Sequence, residues 1–133
     1  MTNDIDDKKY KVLIVDDEDT NLMVLRYILE SEYDVLTSKS GRGAINAAFT
    51  FLPDIILLDI VMPEVDGFEV LETLKNDDRT KDIPVIFVTG VRDENKQIKS
   101  KEMGAADYII KPFSTPTVEE KVRNQLLKKI VNR

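Results

Sequence analysis

The sequence predicts an α/β doubly wound fold, a five-stranded parallel sheet with helices on both faces. Three observations carry that prediction. Short runs that are apolar at nearly every position recur along the chain, as strands buried on both faces require. Longer stretches with apolar residues at three- and four-residue spacing lie between them. The two patterns alternate five times, with no internal repeat and no low-complexity tract.

Residues 1–9 are polar and acidic (Asp4, Asp6, Asp7) and read as a flexible arm ahead of one domain over residues 10–133. The first strand is Val12-Leu13-Ile14-Val15. Leu22, Leu25, Ile28 and Leu29 then repeat at helical spacing behind Asp19, an expected N-cap. Tyr33-Asp34-Val35-Leu36-Thr37 is a weaker strand pattern, suited to a sheet edge. Ala44, Ala47, Ala48 and Phe51 follow Gly41 and Gly43, and Pro53 closes that helix. Ile55-Ile56-Leu57-Leu58 is the third strand, and Phe68, Leu71 and Leu74 form a helix after Asp66-Gly67. Val85-Ile86-Phe87-Val88 is the fourth strand. Ile98 and Met103 mark a more polar helix that stops at Gly104. Tyr108-Ile109-Ile110 completes the sheet, and Thr115-Pro116 opens a last helix bearing Val118, Val122, Leu126, Leu127 and Ile130.

Composition narrows the chemistry. A chain of 133 residues, 42% hydrophobic and 33% charged, is long enough to bury one core without covalent staples. Its net charge of −6 argues against direct binding to nucleic acid or to an anionic membrane. Cysteine is absent, which excludes disulfides, thiolate metal sites and cysteine nucleophiles. Histidine is absent too, removing the commonest general base and the usual zinc ligand. Carboxylates, amines, hydroxyls and backbone remain, and the metal they suit is a hard, oxygen-loving ion. No secretory signal and no apolar run of membrane-spanning length is present, so the expected compartment is the cytoplasm.

Open parallel sheets bind ligands beyond the carboxyl ends of their strands. Here the first strand runs out into Asp16-Asp17, the third into Asp59, the fourth into Thr89 and the fifth into Lys111. Any one of these is equally an ordinary loop start; four strand ends delivering such groups to one edge make a constellation. Two carboxylates about 4 Å apart repel by about 4 kcal/mol at an effective dielectric near 20. Three converging acids therefore point to a bound cation, and all-oxygen ligation points to Mg²⁺.

These residues carry a resemblance. Val15-Asp16-Asp17, Leu58-Asp59-Ile60-Val61-Met62-Pro63, Asp66-Gly67, Val88-Thr89-Gly90 and Lys111-Pro112-Phe113 resemble, in order and spacing, the receiver domain of bacterial two-component response regulators. The likeness runs from about Lys11 to Val131, nearly the whole chain. It implies the flavodoxin-like (CheY-like) strand order 2-1-3-4-5. It also implies that Asp59 accepts a phosphoryl group as a carboxylate nucleophile, already ionised and needing no general base. Asp17 and Asp59 would bind Mg²⁺ directly, or Mn²⁺ in its place. Asp16 would bind mainly through water, and the Val61 backbone carbonyl would be a further ligand. Lys111 would pair with Asp59 at rest and with a phosphoryl oxygen afterwards, and Thr89 would hydrogen-bond another. The Lys111-Pro112 peptide would be cis, turning the lysine into the acidic site. Tyr108 would be the switch partner of Thr89, coupling phosphorylation to the face made by the fourth helix, fifth strand and fifth helix.

The function implied is a phosphoryl-accepting signalling switch, supplied by a sensor histidine kinase or a histidine phosphotransfer protein. It is not expected to turn over an external substrate. The last helix pattern runs almost to Arg133, so no output module is expected within these residues. The chain then stands alone, acting by contact or as a phosphate relay, or is a piece of a longer regulator or hybrid kinase, and its output protein or output domain stays unknown. Receivers of this type often pair when phosphorylated, which extends the expectation of a phosphorylation-dependent homodimer to this chain. The last helix is locally basic, with Lys121, Arg123, Lys128, Lys129 and Arg133 against Glu119 and Glu120, a solvated face or an acidic partner's footing.

Val61 and Val91, two positions after Asp59 and Thr89, are apolar where polar side chains can position water, which predicts a long-lived phosphoaspartate. Three rival readings have weaker support. A Mg²⁺-dependent phosphatase with an aspartyl intermediate would favour a second acid where Val61 stands. A receiver-like adaptor that is never phosphorylated has no need of the intact Asp16, Asp17, Asp59, Thr89 and Lys111. A flavin-binding protein would find the acidic edge repelling its phosphate.

Overall fold

The computed structural model describes residues 9–131. The expected arm at residues 1–9 lies outside the described residues except for Lys9. Five strands alternate with five helices: β1 (Lys11–Val15), α1 (Asp19–Leu29), β2 (Asp34–Ser38), α2 (Gly41–Phe51), β3 (Ile55–Leu58), α3 (Gly67–Lys75), β4 (Val85–Thr89), α4 (Glu94–Glu102), β5 (Asp107–Ile110) and α5 (Thr115–Val131). The strands are all parallel and stand in the order β2-β1-β3-β4-β5. The predicted doubly wound architecture and its strand order are therefore those of the molecule.

Side-chain alternation along the strands builds two cores. Leu13, Val15, Ile56, Leu58, Val85 and Phe87 point to one face, where they meet Ala44 and Ala48 of α2 and Phe68, Leu71 and Leu74 of α3. Val12, Ile14, Ile55, Leu57, Ile86 and Val88 point to the other, against Leu22, Leu25 and Leu29 of α1 and Val118, Val122 and Leu126 of α5. Every residue of β3 and β4 is buried, which is why their runs are apolar throughout. The edge strand β2 is only half-buried and reads more weakly for that reason.

Local chemistry sets the helix ends. Asp66 caps α3 through its side chain to the Glu69 N–H, while Glu69 reaches back to the Asp66 N–H. Ser40 caps α2 by accepting from the Gly43 N–H, so Gly41 and Gly43 lie inside that helix rather than ahead of it. Asp19 is not the N-cap of α1. Glu18 holds that position without a side-chain cap, and its own N–H donates to the Asp16 carboxylate at 2.9 Å.

Four apolar residues expected on buried faces point outward, among them Phe51 at the end of α2. Ile98 is 52% exposed, and Ser100 is the residue that α4 buries. Leu127 and Ile130 are also largely open, since α5 packs through Val118, Val122, Gln125 and Leu126. α4 is accordingly the least anchored of the helices.

Candidate functional site

The parallel sheet aligns the carboxyl ends of β1, β3, β4 and β5, and the residues leaving them converge. The register pairs Val15 with Leu58, so Asp16 and Asp59 emerge side by side. The Asp59 N–H donates to the Val15 carbonyl (3.0 Å) and the Asp16 N–H to the Ser38 carbonyl (3.1 Å), extending the ladder into the site. Asp16 and Asp59 are 1% and 7% exposed, and Asp17 is more open. One carboxylate oxygen from each of Asp16, Asp17 and Asp59 lies within 4.8 Å of the others.

Lys111 enters this cluster from the end of β5. Its ammonium donates to Asp16 Oδ2 at 2.7 Å and to Asp59 Oδ2 at 3.0 Å. Burial pulls the Lys111 pKa down, but the hydrogen bonds and charges of Asp16 and Asp59 outweigh it, and the net position is above the ordinary lysine value. Its main-chain N–H bonds the Thr89 carbonyl (2.9 Å), and the Lys111-Pro112 peptide is cis. The pairing with Asp16 was not foreseen from the sequence, which suggested Asp59 alone. No local pattern encodes which of two neighbouring acids a long side chain reaches.

Thr89 is fully buried, and its Oγ1 accepts from the Val91 N–H at 3.4 Å. The carbonyl of Val91 accepts from the Tyr108 hydroxyl at 2.8 Å. A single residue thus joins Thr89 to Tyr108. The Tyr108 ring meets Phe87 edge-on, 6.3 Å between centroids. Burial first, then the charges of Asp59 and Asp93, raise the Tyr108 pKa above the usual phenol value.

Val61 stands at the mouth, 64% exposed, with its N–H 3.3 Å from Asp59 Oδ1. Gly67 entered the sequence reading as a helix start and as part of the Asp66-Gly67 motif, with no steric role assigned to it. A Cβ there would lie 2.4 Å from the Asp59 carbonyl oxygen, so the absence of a side chain lets α3 start directly beneath the acidic loop. Its pairing with Asp66 was the one signal available.

Three carboxylates against one ammonium leave the cluster net negative, and its oxygen-only donors suit a divalent cation of the Mg²⁺ type. No helix among the described residues is long and apolar enough to cross a membrane.

The chain is similar to known proteins over most of its length. The family model of the response regulator receiver domain matches residues 12–123. The polar-differentiation response regulator DivK of Brucella anthropi is 37% identical over 116 residues, covering 86% of this chain and 94% of that protein. Response regulator PleD of Caulobacter vibrioides is 38% identical over 122 residues, covering 91% of this chain. A CheY-like receiver domain from Methanospirillum hungatei superposes with a TM-score of 0.89 at 27% identity, covering 95% of this chain and 100% of that one. The chain belongs to the response regulator receiver family, whose members are the phosphoryl-accepting switches of two-component systems. It spans 27% of PleD and 47% of two further curated relatives, a probable transcriptional regulator of Guillardia theta and the regulatory protein PhoP of Bacillus subtilis.

Proposed function

We propose that this receiver takes a phosphoryl group on Asp59 from a phosphohistidine of a sensor kinase or phosphotransfer protein. An Asp59 oxygen forms the new O–P bond as the P–N bond of the donor breaks, its electron pair returning to the imidazole nitrogen. The observation that carries this reading is the contrast between the two buried acids. Asp16 has both oxygens in short bonds, to the Glu18 N–H (2.9 Å) and to Lys111 (2.7 Å). Asp59 holds Lys111 through Oδ2, and its Oδ1 has only the long 3.3 Å contact to the Val61 N–H. Asp59 is thus the buried carboxylate with an oxygen to spare.

Asp16, Asp17 and Asp59, with the Val61 carbonyl, would hold Mg²⁺, or Mn²⁺ in its place. When bound, that ion neutralises charge on the transferring phosphoryl group. Lys111 turns from Asp59 to a phosphoryl oxygen, and the Thr89 hydroxyl binds another. Turning Thr89 removes the acceptor of the Val91 N–H, and the Val91 carbonyl is the acceptor for Tyr108. Phosphorylation therefore reaches the α4-β5-α5 face through Val91 and Tyr108, helped by the weak anchoring of α4. The protein acts in the cytoplasm, signals by contact rather than by turning over a substrate, and pairs with a second copy when phosphorylated. Borohydride reduction of the phosphorylated protein, followed by peptide mapping, should place homoserine at position 59. Homoserine at position 16 or 17 would overturn the assignment.

A further inference from the structure

We propose that Arg92 is a positioning residue for the phosphoryl site, latching the loop between β4 and α4 onto the main chain of Lys111. This inference rests on the reading of Thr89 and Lys111 as phosphoryl ligands. Arg92 is exposed and flanked by Asp93 and Glu94, yet its Nη2 crosses 19 residues of sequence to donate to the Lys111 carbonyl at 3.2 Å. Among the described residues it forms no ion pair with a carboxylate.

The loop it holds has few other restraints. Gly90 has no side chain, and a Cβ there would meet nothing within 4 Å. Val91 is half-buried, and the helix that follows buries only Ser100. Besides Arg92 and the capping bonds of Asp93 to the start of α4, two bonds tie the loop to its surroundings: the Val91 N–H to Thr89 Oγ1 and the Tyr108 hydroxyl to the Val91 carbonyl. Both involve side chains that must rearrange when Thr89 turns to a phosphoryl group. The Arg92 bond goes to a main-chain oxygen and can outlast that rearrangement. The ladder bond from the Lys111 N–H to the Thr89 carbonyl (2.9 Å) already sets the spacing of those two main chains, and the Arg92 bond holds the loop beyond Thr89 against the end of β5 while the other two ties exchange. An exposed bond of this kind contributes modestly, so its loss should slow phosphoryl uptake rather than abolish it.

The test compares Arg92→Ala and Arg92→Lys with the wild-type chain. Uptake from phosphoramidate in saturating Mg²⁺ should slow about three- to fivefold in Arg92→Ala, with an unchanged thermal midpoint, and Arg92→Lys should restore most of the rate. In the unphosphorylated protein, the Lys111 carbonyl ¹³C resonance should shift in Arg92→Ala, while those of β1 and β3 stay in place. The NMR readout needs no phosphorylation, so it reports on the latch even if Asp59 proves not to be the acceptor. An unmoved Lys111 carbonyl resonance, or uptake in Arg92→Ala within experimental error of wild type, would overturn the proposal.

Discussion

Lys111 binds Asp16 at 2.7 Å, closer than the 3.0 Å that separates it from Asp59. The ammonium is therefore a bridge between two buried acids, and both depend on it for compensation. Lys111→Met should lower stability by about 2–3 kcal/mol in a chelating buffer, below the usual cost of breaking a buried pair because the site opens to solvent. Added Mg²⁺ should recover more of the thermal midpoint in the variant than in wild type. Differential scanning calorimetry with and without the metal checks both.

The same bridge has a pH signature. The folded Lys111 pKa is raised above its ordinary 10.5, so the folded protein holds the proton more tightly than the unfolded chain. The stabilisation is complete below the ordinary lysine value and is lost as pH rises through the higher folded one. Lys111→Met should lack this alkaline component in stability measured by denaturant titration across that range.

Tyr108 is a second reporter. Burial and the nearby charges of Asp59 and Asp93 place its ionisation above the usual 10.0. Ultraviolet difference titration of wild type against Tyr108→Phe should resolve a late-ionising phenol. Asp59→Asn should bring that ionisation earlier by removing one of the charges.

Val61 and Val91 offer no polar atom in their side chains to position a hydrolytic water. Val61→Asn is the cleaner substitution, since Val61 is open to solvent whereas Val91 packs against the core below β4. Decay of the phosphorylated form should speed by about tenfold, less than the roughly hundredfold or more of full general acid–base catalysis, because an amide only positions the water. Phosphate release timed after removal of the donor measures it, and an unchanged lifetime would dismiss the idea.

Leu52 ends α2 in the left-handed region, at φ 47° and ψ 63°, where a branched side chain is strained. It is half exposed, so little burial is at stake. Leu52→Gly should stabilise the protein by about 1 kcal/mol, read as a higher midpoint in urea.

The parts of this molecule that were legible in the sequence are those set by local pattern. β1, β3 and β4 declare themselves because burial on both faces leaves no room for polar residues. Their ends locate Asp16, Asp17, Asp59, Thr89 and Lys111 because a parallel sheet brings all its carboxyl ends to one edge. Choices made in three dimensions were not legible. Asp19 is a good capping residue, but α1 starts at Asp19 itself, behind Glu18, whose N–H the Asp16 carboxylate holds. Ile98 fits a buried helical face, yet α4 packs through Ser100. The Val91 carbonyl and the Arg92 guanidinium act through long-range contacts that no spacing rule describes.

The most direct test of the account is intact mass after exposure to acetyl phosphate or phosphoramidate, with and without Mg²⁺, beside Asp59→Asn. A single metal-dependent phosphoryl adduct on the wild-type chain, absent from Asp59→Asn, is the predicted result. An adduct that persists in Asp59→Asn, or none on the wild-type chain even from a phosphorylated histidine donor, would contradict it.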